Sequence, residues 1–172
     1  MMHTPAATRK LASEIVQQAS ASNSLIVIAE SCTGGMVAAA LTDIAGSSAA
    51  LERGLVTYSN TAKIELLGVK EATLSVHGAV SVECAAEMVA GALAKTPTAM
   101  LGLVITGIAG PNGSTPNKPI GLVHFACQRR GEAAQLDRVI FAGDRIAVRA
   151  QATLHALQLL AELLEGGIND GR

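Results

Sequence analysis

The chain has 172 residues, 49% of them hydrophobic and 16% charged, and a formal net charge of −1. That length suits a single domain over residues 1–172 with a sizeable core, and that composition excludes an intrinsically disordered chain. With no basic excess, 2% aromatic residues and no tryptophan, the chain lacks both the phosphate-neutralising charge and the stacking platform that a nucleic-acid partner requires.

In chain order, Thr4-Pro5 can open a first helix whose inner face carries Leu11, Ile15, Val16 and Ala19. Leu25-Ile26-Val27-Ile28-Ala29 is an unbroken apolar run, as expected of a strand covered on both faces. It ends at Glu30-Ser31-Cys32-Thr33-Gly34-Gly35, and a helix with Met36, Val37, Ala40 and Leu41 inward follows. Gly46-Ser47-Ser48 breaks the chain, and Leu55-Val56-Thr57-Tyr58 reads as a second strand. Asn60 is placed to cap a short helix through Ile64, Leu66 and Leu67, stopped by Gly68. Ser81 can cap a further helix carrying Ala85, Met88, Val89 and Leu93.

Met100 to Ile105 is a third buried strand, and Thr106 to Ser114 is turn chemistry throughout. Ile120 to Gln128 and Gln135 to Phe141 form two more strands, joined through Arg129-Arg130-Gly131-Glu132 as an antiparallel hairpin. Asp144 can cap a long last helix with Val148, Leu154, Leu157, Leu160, Ala161 and Leu164 inward, ended by Gly166-Gly167. Helices alternating with buried strands predict an α/β fold, a three-layer α/β/α sandwich with a mixed, mostly parallel sheet.

Cys32, Cys84 and Cys127 are odd in number and widely spaced, which fits neither a disulfide framework nor a zinc site. Met1-Met2-His3-Thr4-Pro5 has no apolar leader, and the apolar runs are too short to span a bilayer. The expected setting is the cytoplasm, with no membrane partner.

In open α/β sheets ligands bind beyond the carboxyl ends of the strands. Three loops qualify: Glu30 to Gly35, Tyr58 to Lys63, and Thr106 to Ser114. If their strands are parallel, the loops share one edge. Ser31 sits at a strand-to-helix turn, where it could attack a carbonyl while helix-start N–H groups hold the oxyanion. Ser31 or Thr33 could equally cap the helix. Gly34 and Gly35 would admit a substrate close to the backbone.

No histidine–carboxylate pair suggests itself as the base, but a lysine with a pKa lowered by burial serves in Ser–Lys variants. Lys63, on the first turn of its helix, fits that role, unless it is a solvated helix lysine. Tyr58 could position a proton or be a plain strand residue. Thr106, Gly107, Gly110 and Asn112 belong to a glycine-rich loop suited to a phosphate or carbonyl, or to a long turn. Arg145 could clamp a phosphate or carboxylate, whereas Arg149, one turn on, reads as a surface residue or a neighbour of Arg145. Cys32 is the rival nucleophile.

Several segments resemble one family in order along nearly the whole chain. They are Ala29-Glu30-Ser31-Cys32-Thr33-Gly34-Gly35, Gly54-Leu55-Val56-Thr57-Tyr58-Ser59-Asn60 with Lys63, and Leu66-Leu67-Gly68-Val69. His77-Gly78-Ala79-Val80-Ser81, Thr106-Gly107-Ile108-Ala109-Gly110-Pro111, Lys118-Pro119-Ile120-Gly121 and Gly143-Asp144-Arg145 complete the set. The chain is similar to the CinA C-terminal domain family, the nicotinamide-nucleotide amidases. Asn112-Gly113-Ser114-Thr115-Pro116 departs from the family's glycine pair in that loop. The resemblance implies a nucleotide substrate, nicotinamide mononucleotide, hydrolysed to nicotinate mononucleotide and ammonia. It implies Ser31 as nucleophile, Lys63 as base and Tyr58 as its partner. Thr33, Gly34, Gly35, the 106–113 loop and Arg145 would then bind substrate, with no metal or organic cofactor. A non-catalytic nucleotide-binding or competence-associated module is the alternative. A homodimer is the expected assembly, because symmetric dimers are common.

Overall fold

The computed structural model describes residues 4–166. A five-stranded sheet runs in the order β2-β1-β3-β4-β5. Its strands are β1 Ile26–Glu30, β2 Leu51–Val56, β3 Leu101–Gly107, β4 Leu122–Arg129 and β5 Gln135–Ile140. β1 pairs in parallel with both β2 and β3, while β3/β4 and β4/β5 are antiparallel. The helices are α1 Ala6–Ala21, α2 Met36–Thr42, α3 Asn60–Leu67, α4 Glu71–His77, α5 Val82–Lys95 and α6 Arg145–Gly166. The result is the expected α/β sandwich with a mixed sheet.

Side-chain alternation along the strands divides the core in two. Ile26 and Ile28 of β1 join Leu103 and Ile105 of β3 under α1, α2 and α6. Val27, Ala29 and Val104 face the other way, onto Cys84, Met88, Val89 and Ala92 of α5, with Leu67 of α3 beside them. β1 and β3 are buried on both faces, so each reads as a continuous apolar run.

Some boundaries differ from the expectation. The second strand occupies Leu51–Val56 and not 55–58. As an edge strand it leaves Glu52, Arg53 and Gly54 exposed, which hides it from a hydrophobicity pattern. The cap of α3 is Ser59, whose hydroxyl accepts the Ala62 N–H at 3.0 Å, one residue before Asn60. Thr4 does not cap α1; its hydroxyl donates to Asp43 at 2.7 Å. α4 was not expected, because it buries only Thr73 and so shows no apolar stripe. Ser81 and Asp144 cap α5 and α6 as expected, accepting the N–H groups of Cys84 and Ala147. Gly167 lies outside the described residues. Among the described residues, no helix is long and apolar enough to cross a membrane.

Because β1, β2 and β3 are parallel, their carboxyl ends lie on one edge of the sheet. All three candidate loops leave from that edge, at residues 31, 57 and 108.

Candidate active site

The tertiary fold brings Ser31 and Lys63 together. Lys63 enters from α3 and places Nζ 3.1 Å from the Ser31 Oγ. Nζ also donates to the main-chain carbonyl of Thr57 at 2.8 Å and lies 3.5 Å from that of Tyr58. Lys63 is only 1% exposed, and no carboxylate among the described residues pairs with it. Burial therefore holds its pKa below the ordinary lysine value of 10.5. A neutral amine has two N–H groups and one lone pair. Two of its three neighbours are carbonyls, which can only accept, so the lone pair of the neutral amine is left facing the Ser31 hydroxyl.

The turn holding Ser31 is organised by Glu30. Its buried carboxylate accepts N–H bonds from Gly35 (3.0 Å), Val37 (3.1 Å) and Ala38 (2.9 Å), so it is Glu30 that satisfies the start of α2. Neither the Ser31 nor the Thr33 hydroxyl caps that helix. Gly35 stands at the N-cap position with φ of 98°, a conformation that favours glycine.

These bonds decide which N–H groups of the turn remain available. Ser31 N–H donates to the Ile105 carbonyl, Gly34 N–H to that of Ser31, and Met36 N–H to that of Thr33. The N–H groups of Cys32 and Thr33 have no acceptor among the described residues. Planar trans peptides also orient them. The Ser31 carbonyl is fixed by Gly34, which turns the Cys32 N–H the opposite way. The Cys32 carbonyl accepts from Arg149 Nε at 3.0 Å, which does the same for the Thr33 N–H. Arg149 also donates to the Thr33 carbonyl at 2.9 Å. It is thus a clamp on this turn, a role outside the expected readings of a surface residue or a neighbour of Arg145. Sequence carried no signal for this contact, which joins residues 117 positions apart.

A scan of the chain against family models matches the CinA C-terminal domain over residues 8–164. The chain belongs to the CinA C-terminal domain family. It is 51% identical over 152 residues to a protein of Escherichia coli K12 named nicotinamide-nucleotide amidohydrolase PncC, an alignment covering 88% of this chain and 91% of that one. The protein of that name from Enterobacter agglomerans is 49% identical over 133 residues, covering 77% and 80%. Among solved structures, the competence/damage inducible protein CihA of Agrobacterium tumefaciens superposes with a TM-score of 0.91 at 40% identity, covering 95% of this chain and 99% of that one.

The other expected site residues in this CinA domain are placed less uniformly. Tyr58 does not reach Lys63 with its hydroxyl. The ring is 57% exposed, and the hydroxyl accepts from Arg145 Nη2 at 2.9 Å. Arg145 Nη1 donates to the Gly110 carbonyl at 2.9 Å, so Arg145 ties the β2–α3 connection to the 108–114 loop. Thr106 is buried and spends its hydroxyl on the Ala79 carbonyl at 2.7 Å. At Gly107 a Cβ would meet Val123 and the Leu122 backbone at 2.7–2.9 Å, so this glycine serves packing against β4. Gly110 adopts φ of 84° ahead of a cis peptide to Pro111, and Asn112 is exposed at the loop tip.

Among the described residues, no histidine hydrogen-bonds to Ser31. His155 pairs with Asp137 at 2.6 Å, His77 with Glu83 at 3.3 Å, and His124 lies on β4. Burial pushes the Cys32 thiol up to about 11, which leaves it protonated and poorly nucleophilic near neutrality.

Proposed function

We propose that this chain hydrolyses the carboxamide of a nicotinamide nucleotide through a Ser31–Lys63 pair, releasing ammonia. The observation carrying this reading is the 3.1 Å contact between the Ser31 hydroxyl and a buried lysine amine without an acidic partner. The 51% identical relative named as a nicotinamide-nucleotide amidohydrolase supports the choice of substrate.

In this mechanism neutral Lys63 accepts the Ser31 proton while its own N–H groups stay on the Thr57 and Tyr58 carbonyls. Ser31 Oγ forms a bond to the carboxamide carbon. The Cys32 N–H, one residue past the nucleophile, holds the resulting oxyanion, with the Thr33 N–H behind it. The protonated Lys63 then gives its proton to the departing nitrogen, the C–N bond breaks, and ammonia leaves. Water, deprotonated by the same amine, adds to the acyl carbon, the bond to Ser31 Oγ breaks, and Lys63 returns the proton to Oγ as the nucleotide carboxylate leaves. Tyr58 and Arg145 form a polar gate over this edge and contact the nucleotide rather than relay the proton.

Ammonia release from nicotinamide mononucleotide, measured for the purified protein and for Ser31→Ala, tests the proposal. Release by the wild type alone is the expected result. Undiminished release by a folded Ser31→Ala protein removes Ser31 as nucleophile, and no release by the wild type removes the reaction.

A further inference from the structure

A second candidate site lies on the α5 face of the sheet, where β4 and β5 run past the opening turn of α5. A groove of about 350 Å³ is lined there by Ser81, Glu83, Lys118, His124 and Arg138, with His77 at its rim. It shares no lining residue with the Ser31–Lys63 pair. His124 and Arg138 are direct partners across the β4/β5 ladder, so their side chains stand together on one face.

Several features set this groove apart from ordinary solvated surface. His124 is only 7% exposed and lines the groove, and its enclosed Nδ1 has no hydrogen-bond partner among the described residues. Such an atom calls for a partner, because a buried polar group left unpaired costs free energy. The Arg138 guanidinium makes no ion pair or side-chain hydrogen bond among the described residues, although it is the nearest full charge across the ladder. Lys118 adds a second cation, held in place by its bond to the His77 carbonyl. The one acid of the groove, Glu83, is engaged by His77. Ser81 caps α5 through Cys84, and the Val82 and Glu83 N–H groups of the helix start have no acceptor among the described residues. Two cations, an imidazole and a 14-residue helix start thus line one groove, together with the Glu83 carboxylate that His77 engages.

We propose that this groove binds a phosphate-bearing small molecule, with Arg138 and Lys118 supplying charge and His124 a ring donor. A phosphate dianion presents only acceptors, which is what this donor set lacks. Burial, with Arg138 and Lys118 nearby and Glu83 opposing them, keeps His124 below its ordinary pKa, a shift that an anion beside the ring would counter. The phosphate could belong to the nucleotide substrate or to a separate ligand, and the chemistry of recognition is the same.

The test is a titration of the intact wild-type protein with inorganic phosphate at constant ionic strength. The His124 ring protons are followed by NMR and assigned by their loss in His124→Gln. A saturable shift with phosphate that chloride does not produce is expected. Arg138→Gln, an exposed position whose replacement leaves the core intact, should weaken that binding about tenfold. No shift, an equal shift with chloride, or undiminished binding in Arg138→Gln overturns the proposal. Two further titrations separate the sources. Displacement of phosphate by nicotinamide mononucleotide but not by its dephosphorylated riboside assigns the groove to the substrate's phosphate. Displacement by neither assigns it to a separate ligand. No turnover enters the readout, so failure here leaves amide hydrolysis standing, and failure of hydrolysis leaves this site standing.

Discussion

Glu30→Gln probes the connection between the helix start and the turn that carries Ser31. The carboxylate receives three N–H bonds, two at Oε2 from Gly35 and Val37 and one at Oε1 from Ala38. A glutamine can offer its one carbonyl oxygen to Gly35 and Val37. Its amide nitrogen then faces the Ala38 N–H, donor against donor, in a site where residue 30 is 1% exposed. Leaving that N–H unpaired costs about 2 kcal/mol, and turning two charge-assisted bonds into neutral ones costs about 1 kcal/mol more. The sum of about 3 kcal/mol corresponds to a fall in Tm of about 9 °C for a domain of this size. Thermal denaturation followed by circular dichroism reads the stability, and ammonia release below the new Tm reads the turn. Both should fall, because the start of α2, which closes the Ser31 turn at Gly35, is held less firmly. A Tm within 2 °C of wild type would refute the assignment of Glu30 as the group that satisfies α2.

Lys63→Met should lower kcat about a thousandfold by removing the base, as read in the ammonia assay. Its stability also responds to pH with a definite sign. Folding disfavours the protonated amine, so Lys63 contributes fully above 10.5, the ordinary value, and that contribution is lost as pH falls through the lowered folded value. The difference in denaturation midpoint, wild type minus Lys63→Met, should therefore rise with pH up to that limit, and a flat difference would show an unshifted lysine. Cys32→Ala should keep most of the wild-type rate, since the thiol is held protonated by burial and only the backbone N–H of residue 32 is used; loss of turnover in a normally folded variant would restore the thiol as nucleophile. Gly91→Ala should destabilise the fold by about 3 kcal/mol or more, seen in urea denaturation, because the added Cβ would lie 1.7 Å from the Leu67 carbonyl oxygen and drive α5 from α3.

Much of the candidate site was legible because Ser31 and Lys63 sit at positions with local signatures. Ser31 follows a buried apolar run and precedes two glycines, which marks a strand-to-helix turn. Lys63 lies one turn into a helix stopped by Gly68. Neither signature states that the two side chains touch. That contact spans 32 positions and exists only because β1 and β2 are parallel neighbours whose ends share an edge. The capping question at Ser31 was open for the same reason. Serine next to a helix start is a good cap by local rules, and only the folded chain shows Glu30 filling that place. Tyr58 illustrates the converse, since nearness in sequence to Lys63 put its main-chain carbonyl and not its hydroxyl beside the amine.

The sequence by itself determined the layered α/β architecture, since apolar helix faces and unbroken apolar strands follow from which faces must leave water. It also determined the starts of α5 and α6 and the Gly68 stop of α3, because those caps and stops are contacts within four residues. Tertiary structure decided everything that depends on two distant segments meeting. It buried Lys63 without an acid, set Arg149 on the Ser31 turn, kept Gly91 for the approach of α3, and gathered His124, Arg138 and Lys118 in one groove. Local patterns report which face of an element is apolar; they carry no information about what the opposite segment presents to it.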